Sequence, residues 1–89
     1  MEDESTGWAW EYDPGDDWVA GGLHAPDREA VQVMASALTD LAAAGLTPDG
    51  RLDDDPNPLR LRTFSSGRIL LWYQIVPHRE RVYVVRINL

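Results

Sequence analysis

The run Ile69–Val76 constrains the fold more than any other segment, because every residue in it except Gln74 is apolar or aromatic. Successive side chains of a strand point to opposite faces of the sheet, so both faces of this strand are apolar. A strand of this kind is typical of the centre of a sheet, where both faces are largely covered. We expect one of those faces to pack against a helix.

Two runs rich in β-branched and aromatic residues flank this central strand, at residues 59–64 and 81–87. Such runs predict strands. The intervening segments, residues 65–67 and 77–80, are short enough to be hairpin loops. The second half of the chain therefore predicts a three-stranded antiparallel meander.

The first half shows a helical pattern instead. Between residues 26 and 44 apolar side chains recur at steps of three and four, which predicts an amphipathic helix. Pro26 suits its first turn and Gly45 can close it. Its buried face is expected to consist of Val31, Met34, Leu38 and Leu41.

Two further elements precede this helix. Residues 8–12 alternate large aromatic with smaller or polar side chains, which predicts a strand. Residues 16–23 could form one helical turn, although Gly21 and Gly22 disfavour a long helix. At 89 residues the chain has room for one core, so we expect a single α+β domain over residues 1–89.

Charge divides the chain near Pro58. Fourteen of its 15 acidic residues precede that proline, whereas six of its eight arginines follow it, and lysine is absent. This asymmetry indicates either an anionic partner for the basic half or an acidic half that covers the basic surface. Salt bridges between solvated faces are an equally simple interpretation.

The alternation of side chains along the predicted strands indicates a candidate binding site. A period of two sends Arg60 and Arg62 to one face of the first strand, and Arg68, Arg81 and Tyr83 lie in the strands that follow. If the register brings them together, guanidinium groups beside an aromatic ring suit phosphate contact and base stacking. Alternatively, Tyr83 and its aromatic neighbours belong to the core and the arginines pair with the aspartates at positions 53–55.

Other chemistries find little support. The chain has no cysteine, which excludes disulfides and thiolate ligands, and its two histidines have no neighbours with metal-ligand spacing. No phosphate loop or nucleophile elbow is present, and we expect neither a metal nor a cofactor. Residues 1–6 form an acidic tail unlike a secretory signal, and no apolar run reaches membrane-spanning length, so we expect a cytoplasmic protein.

Residues 59–87, LRLRTFSSGRILLWYQIVPHRERVYVVRI, resemble the C-terminal meander of the RelE/ParE/HigB toxin superfamily. The shared features are an arginine-containing strand, a glycine and arginine that open the central strand, an aromatic residue within it, a charged hairpin and a valine-rich last strand. The preceding order of strand and helix agrees in outline. The resemblance implies a RelE-like α+β fold.

The resemblance also implies a function. It indicates the toxin of a type II toxin–antitoxin system, which an antitoxin protein holds and which either cuts messenger RNA on the ribosome or, in the ParE branch, inhibits gyrase. By this comparison Arg62, Arg68 and Tyr83 are the expected catalytic residues, and Arg60 and Arg81 the expected phosphate-binding residues.

The resemblance leaves the activity open, because the histidine–arginine and tyrosine tail of the RNA-cutting members has no counterpart after Ile87. The net charge of −7 is also opposite to that of a typical ribosome-binding toxin. The alternative is a non-enzymatic module or an inactive RelE-like protein, whose acidic half docks a basic partner.

Overall fold

The computed structural model describes residues 7–89, and the acidic tail predicted at residues 1–6 lies outside the described residues. The described chain forms six strands, two helices and two 3-10 turns. In chain order these are β1 (Ala9–Tyr12), α1 (Asp16–Val19), α2 (Ala25–Ala43), β2 (Leu46–Thr47), β3 (Gly50–Arg51), a turn at Leu52–Asp54, β4 (Arg62–Ser66), β5 (Ile69–Val76), a turn at Pro77–Arg79 and β6 (Arg81–Asn88).

The main sheet has four strands in the order β1-β6-β5-β4. Strands β4, β5 and β6 pair antiparallel in succession, whereas β1 joins β6 in parallel and makes the sheet mixed. Strands β2 and β3 form a separate two-stranded hairpin between α2 and β4. The α+β class with one main helix is confirmed.

Helix α2 covers one face of the sheet and supplies half of the core. Its bounds agree with the predicted helix within one residue at each end. Val31, Met34 and Leu38 are buried as expected, whereas Leu41 is only half-buried. Arg28 joins this helix to α1 through the carboxylate of Asp16 at 3.0 Å, so both helices lie on the same side of the sheet.

The two faces of β5 differ in burial. Ile69, Leu71, Tyr73 and Ile75 point toward α2 and are buried in the core. On the opposite side, which we call the open face, Leu70, Trp72 and Gln74 are half-buried. The expectation that both faces of the central strand are largely covered therefore holds on the helix side and only in part on the other.

Strand β4 begins later than the sequence indicates. Residues 59–61 form no strand, and Leu59 and Leu61 are exposed instead of buried. The paired strand starts at Arg62, which lies opposite the buried Tyr73 on the helix side of the sheet. A two-residue turn at Gly67 and Arg68 then leads into β5, and the positive φ of Gly67 suits a residue without Cβ.

The packing of α2 generates a stability prediction. Leu38 is 1% exposed within the core, so Leu38→Ala is expected to lower the free energy of unfolding by about 2–5 kcal/mol through lost burial and a residual cavity. Val33→Ala on the same helix is the matched control, because Val33 is 70% exposed and its truncation is expected to cost within about 0.5 kcal/mol. Urea denaturation of both variants measures the difference, and equal losses would contradict this packing.

Candidate functional site

The five residues nominated from the sequence do not form one surface. Arg62 points to the helix side of the sheet, whereas Arg81 and Tyr83 pair with Val76 and Gln74 on the open face. Arg60 lies in the loop before β4, and Arg68 lies in the β4–β5 turn. The expectation that these arginines gather on one exposed face is therefore wrong in its geometry.

Asp55 compensates the buried charge of Arg62. Its Oδ2 accepts a hydrogen bond from Arg62 Nη2 at 2.6 Å and another from Arg60 Nε at 2.9 Å. Its Oδ1 accepts the backbone N–H of Asn57 at 2.8 Å. A guanidinium that is only 3% exposed requires a counter-charge, and Asp55 supplies it. The alternative interpretation therefore holds in part: Arg60 and Arg62 pair with Asp55, whereas Arg68 and Arg81 pair with other carboxylates.

The same contacts set the protonation of Asp55. The backbone hydrogen bond from Asn57, followed by the side-chain hydrogen bond from Arg60, lowers the pKa of this carboxyl below its ordinary value of 3.8. The carboxylate therefore stays ionised at neutral pH and holds Arg60 and Arg62 together. Among residues 7–89, Arg60 and Arg62 are the only two nominated arginines that share a carboxylate partner.

A cleft of about 480 Å³ adjoins this ion pair. Each of its three arginines lies within 4 Å of a carboxylate, so the cleft offers no unpaired positive charge to an anion. The charged residues are Arg51, Arg60, Arg62, Asp49, Asp54 and Asp55. This cleft is better explained by the structural role of Asp55 than by phosphate binding.

The other two nominated arginines also have carboxylate partners. Arg68 Nη2 donates to both oxygens of Asp27 in the first turn of α2, at 2.7 and 2.9 Å, and so ties the β4–β5 turn to the helix. Arg81 Nε lies 3.3 Å from Glu11 Oε2. Its Nη1 donates to the carbonyl oxygen of Gly7 at 3.0 Å, which fixes the start of β1 against β6.

Two arginines that the sequence did not nominate project from the open-face side. Arg86 is exposed and lies opposite Trp72, and Arg79 is exposed in the turn before β6. Within residues 7–89, neither guanidinium has a carboxylate within 4 Å. Arg79 Nη1 contacts the hydroxyl of Tyr83 at 3.4 Å, and this hydrogen bond raises the pKa of Arg79.

A register irregularity places Arg86 on the open face. Strict alternation along β6 would place residue 86 with Val82 and Val84 on the helix side. The pairing shifts between Trp72 and Tyr73, however, so Val84 lies opposite Tyr73 and Arg86 lies opposite Trp72. A bulge of this kind re-aims a side chain and leaves little local signal in the sequence.

At the hairpin end of the open face a second cleft encloses about 320 Å³. We call it the hairpin cleft. Its apolar lining consists of Leu59 and Val76, and its polar lining consists of Asp13, Gln74, His78, Arg79 and Tyr83. His78 lies in the exposed 3-10 turn, in agreement with its predicted place in a hairpin loop.

In the part of the chain from residue 7 onward, no group of three or more potential ligand side chains is placed to hold a metal ion. No helix in that same part is long and apolar enough to cross a membrane.

Comparison of the chain with models of protein families, with curated proteins and with solved structures found no match. A function for this chain is therefore inferred from its own side chains and their arrangement.

The role assigned to Asp55 generates a second prediction. Asp55→Asn is expected to lower the melting temperature at pH 7, because it leaves the buried Arg62 without its counter-charge. Asp53→Asn is the matched control, since Asp53 and its partner Arg51 are both exposed and 3.4 Å apart. Thermal unfolding followed by circular dichroism compares them.

The pH dependence of stability tests the same Asp55 contact. A carboxyl whose pKa is lowered in the folded state contributes stability above its unfolded pKa, and that contribution disappears as the pH falls through the folded pKa. The wild type is therefore expected to lose more stability than Asp55→Asn as the pH falls from 7 to below about 3.8. Parallel losses in the two proteins would show that this contact contributes little.

Proposed function

We propose that this chain is a RelE/ParE-like toxin domain of a type II toxin–antitoxin system, and that it binds single-stranded RNA on the open face of its sheet. The observation that carries the proposal is the pair Arg79 and Arg86, which are exposed near aromatic side chains and have no carboxylate within 4 Å among residues 7–89. All the arginines first nominated have such a partner.

The chemistry of the open face suits a single strand of nucleic acid. Arginine forms bidentate contacts with phosphate, and aromatic rings stack on bases without strong sequence preference. Here Arg86 lies opposite Trp72, and Arg79 contacts Tyr83. The face therefore carries groups that can neutralise phosphates next to groups that can stack on bases.

Within the proposal the reaction is ribosome-dependent cleavage of messenger RNA, as the resemblance implies. Tyr83 keeps its proposed part in proton transfer, because it is half-buried beside Arg79 on the open face. Arg81 shares that face, and a phosphate would compete with Glu11 for it. Arg68 contacts Asp27 in α2 and so holds the β4–β5 turn in place, and Arg60 and Arg62 likewise act through the Asp55 contact.

A second candidate is a non-enzymatic module that docks a basic protein. The observation that favours it is Trp18, which is 83% exposed on α1 beside Asp16 and Asp17. An exposed tryptophan is a common anchor of protein interfaces, and the adjacent carboxylates suit a basic partner. In the toxin interpretation this acidic side would meet the antitoxin.

RNA binding generates the third prediction. Arg86→Gln is expected to weaken binding of a labelled single-stranded RNA of about ten nucleotides. It should also reduce the slope of log affinity against log salt concentration by about 0.7, because one phosphate contact is lost. Fluorescence anisotropy over a series of salt concentrations measures both quantities.

Arg51→Gln is the control for this experiment, because it removes the same charge from an exposed arginine outside the main sheet. Its salt slope is expected to remain that of the wild type. If the wild-type protein binds no RNA, cleaves no ribosome-bound messenger and causes no growth arrest when expressed alone, the toxin proposal fails and the binding module takes its place.

A further inference from the structure

The hairpin cleft has the size and lining of a small-molecule site. Its volume of about 320 Å³ lies at the lower end of the range for such sites, which is roughly 300–1,000 Å³. Leu59 and Val76 give it an apolar surface. Gln74 Nε2 donates to the carbonyl oxygen of Leu59 at 2.7 Å and so holds the loop against β5. The cleft is therefore built by contacts between distant parts of the chain.

Arg79 supplies the positive charge of the cleft. Its contact with the Tyr83 hydroxyl, at 3.4 Å, is the one hydrogen bond that its guanidinium makes with the described residues. The remaining N–H groups can donate in pairs to the oxygens of a phosphate, which matches the planar geometry of a guanidinium. His78 lines the same cleft, and a ring N–H of its imidazole can donate to a phosphate.

Tyr83 and Asp13 suit a nucleobase. The half-buried ring of Tyr83 offers a stacking surface next to the aliphatic side chains. Asp13 follows β1, and its backbone N–H donates to Val84 O at 3.0 Å, which holds it beside β6. Its carboxylate accepts hydrogen bonds and repels phosphate, so it favours the exocyclic amino group of a base at its end of the cleft.

We propose that the hairpin cleft binds a nucleoside monophosphate, with the phosphate on Arg79, the base against Tyr83 and Leu59, and an amino group of the base on Asp13. The inference deepens the proposed function and rests on it for one source of the ligand, a nucleotide within an RNA strand. The other source is a free nucleotide, which the cleft would bind whether or not the open face binds RNA.

The test uses adenosine monophosphate (AMP) as the probe and the full chain labelled with nitrogen-15. In nuclear magnetic resonance titrations, AMP is expected to shift the backbone amides of residues 76–83 in the wild type. Arg79→Gln is expected to weaken AMP binding by roughly tenfold or more, since it removes a charged donor. Arg51→Gln, which removes the same charge elsewhere, is expected to leave the affinity unchanged.

Adenosine, which lacks the phosphate of AMP, distinguishes the loss of a phosphate contact in Arg79→Gln from a general effect of the lost charge. Its affinity is expected to be the same in the wild type and in Arg79→Gln, because the group that Arg79 binds is absent. Arg79 is exposed, so the variant is expected to fold, and its amide spectrum verifies this. An equal loss of affinity for AMP and adenosine would contradict the contact between Arg79 and phosphate.

Inosine monophosphate tests the base, since it carries a carbonyl oxygen where AMP carries an amino group. The wild type is expected to bind it more weakly than AMP, and Asp13→Ala is expected to remove that difference. Equal binding of both nucleotides by the wild type would contradict the role given to Asp13.

Competition between AMP and labelled RNA identifies the source of the ligand. Displacement of RNA by AMP supports a nucleotide within the strand, whereas binding of AMP without displacement supports a free nucleotide. No shift at residues 76–83 with AMP overturns the inference. Because RNA binding and its dependence on Arg86 are measured separately, this failure is distinct from failure of the proposed function.

Discussion

Helix α2 covers one face of β5, and this coverage determines how the rest of the molecule is arranged. The core requires Leu71, Tyr73 and Ile75 to point toward the helix, so alternate residues of the same strand must lie on the open face. The register of the neighbouring strands with β5 places their residues on the same two faces. Arg62 then falls on the covered side and needs Asp55 as a buried counter-charge, whereas Arg81 and Tyr83 fall on the open side.

Electrostatic pairing then separates structural arginines from those available to a ligand. Arg62 and Arg68 hold the loop before β4 and the β4–β5 turn in place through Asp55 and Asp27. Removal of such a buried or half-buried partner costs stability before it changes binding. Arg79 and Arg86 have no carboxylate within 4 Å in the described range, so their guanidinium groups are available to contact a ligand. This contrast favours the open face over the surface nominated from the sequence.

The sequence predicted those elements whose signal is local. The extent of α2 follows from its period of 3.6 residues and from its flanking proline and glycine, and the hairpin before β6 follows from its turn residues. The start of β4 was not predictable in the same way, because the alternation Leu59-Arg60-Leu61-Arg62 fits either face. Asp55, seven residues before Arg62, decides between them. The face of Arg86 likewise depends on a bulge in the pairing of β5 with β6, which is a tertiary property.

The central claim is that RNA binds the open face and not the acidic helical side. Trp72 lies on the open face, whereas Trp18 lies on α1, which Arg28 ties to the opposite side of the sheet. Nuclear magnetic resonance of the carbon-bound protons of the two indole rings during titration with single-stranded RNA therefore reports on each side separately. The account predicts that the Trp72 resonance shifts and saturates while that of Trp18 stays constant. A shift of Trp18 with an unchanged Trp72 would contradict it.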